Sequence, residues 1–248
     1  MCETAIPRSF GRMLKWISFR DRSRRSQAQI VRRVCERLEK TYGRPRLGNP
    51  RSPLDDLFFI LLSNRTAPMK ARATYEALRK RYPRWATVAD ASVNEMRKIM
   101  APAGLAAKRA AQMRGMARRL RSDFGRVTLG PLGTSPDDEV LAYMRTLPGV
   151  STKVAYCVMM YAMGRQVLPV DVHVHRISQR LGWIGAESAR NAHDLLANLV
   201  PAHRRYAFHV GCVLHGRAVC RPQEPRCSEC VIGEYCDSLR RRRCPWLA

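Results

Sequence analysis

Apolar residues return every three to four positions along most of the chain, the spacing of one helix face. Ile30, Val31, Val34, Cys35 and Leu38 mark such a face near the N-terminus. Further helices are expected near 67–82, 105–123, 152–163, 172–183, 187–199 and 202–216. Ser52-Pro53 with Asp55 and Asp56 reads as an N-cap, a proline in the first turn and two acids favoured by the helix dipole. Ser92 with Glu95 is a capping-box pattern, and Ser135-Pro136 with Asp138 is a close relative of it. Period-two alternation flanked by turns is nowhere convincing, and the expected fold is all-α. Proline and glycine punctuate the connections at 43–53, 101–104 and 129–136. The first of these reads as a link between an N-terminal helix and a compact middle block.

Composition narrows the class of partner. A chain of 248 residues can hold one large domain or two small ones around a real core, and its hydrophobic fraction of 46% is ordinary. The formal charge of +25 is not. Self-repulsion on that scale suits a polyanionic partner, and nucleic acid is the usual one. A basic amphipathic membrane binder is the competing reading, disfavoured because the charge is spread along the chain rather than along one helix face. No apolar run reaches the ~18 residues needed to span a bilayer. The first 29 residues are rich in Arg and Ser, with only Glu3 and Asp21 acidic, and read as a flexible basic arm. An organellar transit peptide has the same composition. Without a secretory apolar stretch, the nine cysteines are expected inside a reducing compartment rather than in a disulfide framework. The cationic end, 239–248, reads as a solvated tail.

Four of those cysteines stand close together in "CRPQEPRCSECVIGEYC", at 220, 227, 230 and 236. A structural zinc site usually takes two close pairs separated by a longer spacer, whereas here only Cys227 and Cys230 form a close pair. A cubane cluster needs four thiolates around a larger object, which one wrapped loop can supply. Cys35, Cys157 and Cys212 lie in apolar helical runs, where buried free thiols are usual. The run at 220–236 resembles the four-cysteine loop of the endonuclease III family of helix-hairpin-helix DNA glycosylases, and "LHGRAVC" (214–220) is similar to the helix end that leads into it. The resemblance implies a [4Fe–4S] cluster on Cys220, Cys227, Cys230 and Cys236.

A second stretch, "TLPGVSTKVAYC" (146–157), sets one of only seven lysines among 45 basic residues just past a turn. A tight turn opening a helix points free backbone N–H groups outward, a seat for a phosphate oxygen that positions DNA without reading its sequence. Pro148, Gly149, Val150 and Ser151 would form that seat. For Lys153, the positive end of the helix dipole and partial desolvation favour the neutral, nucleophilic amine, and a neighbouring carboxylate favours the ammonium. On composition alone Lys153 would be one more phosphate-facing cation. "LPGVSTK" resembles the hairpin of the same family, which places Lys153 on its catalytic lysine, and "PVDVHVHR" places Asp171 on its aspartate. Asp171 is also a natural N-cap for the helix that follows. His173 and His175, two apart, read as packing or hydrogen-bonding residues rather than metal ligands.

Two departures accompany the resemblance. Ser151 replaces the second glycine of the hairpin, so the turn must accommodate a Cβ, although serine caps a helix well. "LLSNRTAP" (61–68) is similar to the family segment whose glutamine fills the gap left by an extruded base, and Arg65 stands in the glutamine's place. Leu105 matches the family's intercalating leucine, with a core leucine at a helix start as the alternative.

The resemblance covers about 30–238. It implies a two-domain all-α fold: a six-helix domain with the hairpin (48–166) and a cluster domain (28–47 with 167–238), between a basic arm (1–27) and a basic tail (239–248). It implies a monomeric intracellular base-excision glycosylase with AP-lyase activity, acting on double-stranded DNA that carries a damaged base, oxidised pyrimidines above all, or an abasic site. Arg221 and Arg226, with Arg217, would carry the cluster loop's charge to phosphates. The alternatives are a mismatch-specific glycosylase for thymine or adenine and a non-catalytic DNA-binding relative.

Overall fold

The computed structural model describes residues 26–185 and 189–240, without the side chains of 189 and 190. The expected basic arm lies outside them except for residues 26 and 27, which are already helical, and the tail lies outside them beyond 240. Eleven helices follow one another among the described residues: α1 (26–42), α2 (Pro53–Ser63), α3 (Pro68–Arg81), α4 (Val93–Met100), α5 (Ala106–Phe124), α6 (Asp137–Thr146), α7 (Thr152–Tyr161), α8 (Val172–Arg180), α9 (Ala189–Leu199), α10 (Arg205–Ala218) and α11 (Asp237–Arg240). Short 3₁₀ turns join several of them, and no described residue is in a strand. The fold is all-α. No described helix is long and apolar enough to cross a membrane.

The apolar residues gather in two cores. The first is filled from α2 to α7, with Phe58, Leu57, Leu62, Met113, Met116 and Val158 fully enclosed. At roughly 1.5–3 kcal/mol for each large side chain removed from water, this core is what holds the six helices together. Helix α2 runs through its middle: Leu57 to Leu62 are all buried, so the helix is apolar on every side rather than along a stripe. The second core joins α1 to segments from residue 168 onward. Val31, Val34, Cys35 and Leu38 of α1 pack with Val174, Ile177, Leu196, Phe208, Cys212 and Ile232. The face of α1 expected from its spacing is the face that is buried.

The start signals behave unequally. Pro53 opens α2 and Ser92 caps α4 by accepting from Glu95 N, but Ser52 makes no side-chain cap bond. Ser135 is not a cap at all, which corrects the expectation for that stretch. Pro136 occupies the N-cap position in an extended conformation, and the helix begins at Asp137. Asp137, Asp138 and Glu139 then crowd the first turn and offset the dipole in place of a hydroxyl cap. Asp55 and Asp56 both lie in the first turn of α2 as expected, and Asp56 is in addition completely buried.

Candidate active site

The hairpin is the turn between α6 and α7. Leu147 O accepts from Val150 N at 3.2 Å, and Gly149 takes φ +83°, a conformation that favours glycine. The turn lies on α5: a Cβ at Gly149 would run into the Gln112 side chain, and Gly115 leaves room for the Pro148 ring. Pro148, Gly149 and Ser151 are exposed, whereas the Val150 side chain belongs to the first core, so Val150 can offer DNA only its backbone. Ser151 needs no glycine. Its φ of −87° is ordinary for any residue, and its Oγ accepts from Val154 N at 3.4 Å as the N-cap of α7. The N–H groups of the first turn of α7 have no partner within the helix and face the same way.

Lys153 sits in that first turn, half-buried, and its Nζ donates to Asn64 Oδ1 at 3.2 Å. Asn64 is the C-cap of α2. Asp171 lies across from it at the start of α8, where Oδ1 accepts from His173 N and Val174 N, each at 2.9 Å. Burial alone would raise the Asp171 carboxyl. The charges of His209 and His173, the Val174 N–H and Lys153 outweigh it and hold the group below the ordinary carboxylate range. Asp171 is therefore ionised at neutral pH while serving as a helix cap. His209 is buried beneath it with Nδ1 2.9 Å from Pro169 O; burial pulls its imidazole down, toward the neutral form.

Asn64, Asp56 and His209 are site residues that the sequence motifs did not single out. Asn64 directly precedes Arg65, and a polar residue ending an apolar helix was the available signal. Asp56 has its Oδ1 bonded to Asn49 Nδ2 at 2.6 Å and its Oδ2 buried without a partner. Burial pushes its carboxyl up to about 7, against the pull of Asn49, Arg46 and Lys153. An acid raised in the folded state is protonated there while the unfolded chain is already ionised. Its contribution therefore turns against folding as pH rises from about 4 and is fully unfavourable above about 7, costing at most about 4 kcal/mol. Asp56→Asn should raise the melting temperature relative to wild type progressively between pH 5 and pH 8. A difference independent of pH, from paired thermal melts, would mean that Asp56 does not titrate in this range.

Arg65 and Leu105 share an unusual feature. Both are non-glycine residues with positive φ, 56° and 50°, and both are exposed, Leu105 by 59%. Leu105 is thus not the core leucine of the alternative reading. It stands at the N-cap of α5 with its side chain in solvent.

The four cysteines of the C-terminal run line one cavity, together with Arg180, Val219 and Arg226 among others. Among the described residues no group of three or more His, Cys, Asp or Glu is placed to hold one metal ion. The donor set is four thiols around one cavity, with only Cys227 and Cys230 a close pair in sequence, which fits the thiolate chemistry of a cluster. Their surroundings are polar on one side. Arg180 Nη1 donates to Cys220 Sγ at 3.1 Å, and His215 Nε2 lies 3.4 Å from Cys230 Sγ. Tyr42 Oη of α1 lies 2.9 Å from the other ring nitrogen of His215. Burial holds that ring down to about 4, so it is neutral. Burial raises the Cys230 thiol to about 11, a direction that bound metal reverses by stabilising the thiolate. Of the loop arginines, Arg217 and Arg226 are exposed; Arg226 pairs with Glu229 at 3.7 Å, and Arg221 bonds Glu224 O.

A tight turn seated on α5, with a lysine in the helix it opens and an ionised aspartate capping α8, is the arrangement of a class of DNA-repair protein. A family model described as HhH-GPD superfamily base excision DNA repair protein matches residues 58–202. Endonuclease III of Thermotoga maritima is 29% identical over 214 residues, 86% of this chain and 93% of that protein. Endonuclease III of Synechocystis sp. is 30% identical over 193 residues, 76% of this chain and 83% of that protein. Two solved structures share the fold: an endonuclease III in a non-covalent DNA complex (TM-score 0.75, 22% identity, 87% of this chain and 98% of that one) and a thermostable thymine-DNA glycosylase (TM-score 0.68, 21% identity, 88% and 98%). The chain belongs to the endonuclease III family of helix-hairpin-helix base-excision DNA glycosylases.

Proposed function

We propose that this glycosylase is bifunctional: Lys153 releases a damaged base from double-stranded DNA and then breaks the strand at the abasic site. The observation that carries the reading is an amine at the head of α7, held by Asn64, near enough to the buried, ionised Asp171 for its charge to help lower that carboxyl. The damaged nucleotide rotates out of the stack, which costs least for a damaged or mispaired base. The neutral Lys153 amine attacks the sugar C1′ as the base leaves with the bonding electrons. Asp171 stabilises the positive charge developing on the sugar and assists the proton transfers. The resulting Schiff base makes the 2′-proton acidic; its loss expels the 3′-phosphate by β-elimination. Asn64 Oδ1 orients the amine before attack.

The hairpin N–H groups and the basic loop at 217–226 supply the phosphate contacts. The four cysteine thiols would hold a [4Fe–4S] cluster, whose contribution is to make that loop rigid. The division into a six-helix domain (48–166) and a cluster domain (28–47 with 167–238) belongs to the same reading, and the two separate cores support it. So does action as a monomer. Oxidised pyrimidines are the substrates the family relationship favours.

Borohydride trapping on a duplex with an abasic site tests the lyase: a covalent protein–DNA adduct is expected, and its absence with the wild-type protein would overturn it. Base release from a panel of thymine glycol, uracil, 8-oxoguanine, T·G and A·G duplexes tests the substrate. Asp171→Asn keeps a capping side chain and loses the charge, so base release should fall by roughly 10²-fold or more while the melting temperature moves little. Equal losses of activity and stability would reduce Asp171 to a cap.

A further inference from the structure

Between the two strained tips lies one buried guanidinium. Arg109 of α5 is 3% exposed and has no carboxylate among its partners. Its Nη1 reaches Thr66 Oγ1 at 3.0 Å, Ala103 O at 2.8 Å and Gly104 O at 3.0 Å, and its Nη2 donates to Asn64 O. Thr66 Oγ1 in turn donates to Ala103 O at 2.9 Å. These groups flank Arg65 on both sides and immediately precede Leu105. A buried cation without an anion is costly, and so is left-handed backbone at a non-glycine residue. Such conformations persist where surrounding structure over-determines them, and they concentrate at functional sites. The two costs meet here because the planar fork of an arginine reaches acceptors on both loops from two rigidly spaced nitrogens, a geometry that the single ammonium of a lysine does not reproduce. The same cluster touches the attack site, since Asn64 gives its backbone to Arg109 and its side chain to Lys153.

We propose that Arg109 is a positioning residue that locks Arg65 and Leu105 into the backbone conformations in which they enter the DNA, and so governs extrusion of the nucleotide rather than the chemistry. The proposal rests on the reading of the site given above. An exposed apolar side chain on rigid backbone can wedge a base step open. The same side chain on a relaxed loop would lose that purchase.

The test compares strand cleavage at an abasic site in a duplex, where the gap must be opened and filled, with cleavage at an abasic site in a single strand, where there is no stack to open. Arg109→Lys is expected to slow the duplex reaction by about tenfold or more, the scale of ångström-level misplacement, with the single-strand reaction within about twofold of wild type. With 2-aminopurine opposite the abasic site, the fluorescence rise on binding should shrink in the variant. Leu105→Ala should reproduce the duplex defect and add little to Arg109→Lys. Thr66→Val, a milder change to the same clamp, should give a smaller defect confined to the duplex and covers the case in which Arg109→Lys does not fold. Equal losses on both substrates, or none on either, would overturn the proposal. If wild-type protein cleaves neither substrate, the lyase reading fails, and the 2-aminopurine signal still decides the role of Arg109.

Discussion

Lys153→Ala should form no borohydride-trapped adduct on abasic duplex DNA and should lower the rate of strand cleavage by at least about 10³-fold, in keeping with the loss of a nucleophile. Lys108→Ala, at an exposed position on α5, should trap as well as wild type. The contrast matters because a chain of +25 has many cations that could touch an abasic aldehyde adventitiously. The loss should not be a folding defect. Lys153 is half-buried and makes one hydrogen bond, to Asn64, so its removal leaves both cores intact. Thermal melts should agree within a few degrees. DNA affinity at fixed salt should change little, because one phosphate-scale contact is a small part of a largely electrostatic interaction. An adduct that persists in Lys153→Ala would assign the nucleophile elsewhere.

The second large effect is expected at the cysteine cavity. Purified wild-type protein should be brown, with absorbance near ~410 nm, and should carry four irons per chain. Cys230→Ser should lose the colour and destabilise the chain severely, since structural metal sites contribute on the order of 10 kcal/mol to folding. Cys230 packs against the second core beside Ile232, so the disturbance would reach α1 and α8 rather than stay in the loop. Cys212→Ala is the control: that thiol is buried in the same core but lies outside the cavity, and the variant should keep its iron. Stoichiometric zinc in place of iron would refute the cluster.

Much of this architecture could be read from the chain because it rests on short-range rules. Helix periodicity, the proline at the head of α2 and the turn at 148–151 are set by neighbours three or four residues apart. The Lys153–Asp171 pair was legible only through resemblance, since eighteen residues of sequence say nothing of direction in space. What escaped was decided by tertiary context. Asp56 has the local signature of a first-turn acid, which it is, but its burial is set by what packs around α2: Asp55, one residue earlier, stays part-exposed. Ser135 has the signature of a cap, and the chain starts the helix two residues later. Arg109 is one basic residue among many in α5, and only the approach of two loops to its side chain distinguishes it.

The bond from Tyr42 to His215 spans 173 positions, and Arg37 of α1 likewise holds Val231 O and Glu234 at the far end of the chain. During synthesis the first core can close once α7 has emerged. Helix α1 cannot: Val31, Val34, Cys35 and Leu38 must wait, uncovered, until α10 and the cysteine loop have left the ribosome. The nascent protein therefore carries a sticky apolar helix for most of its translation. A fragment released before α8 should therefore aggregate, whereas a chain extended through the cysteine loop should not.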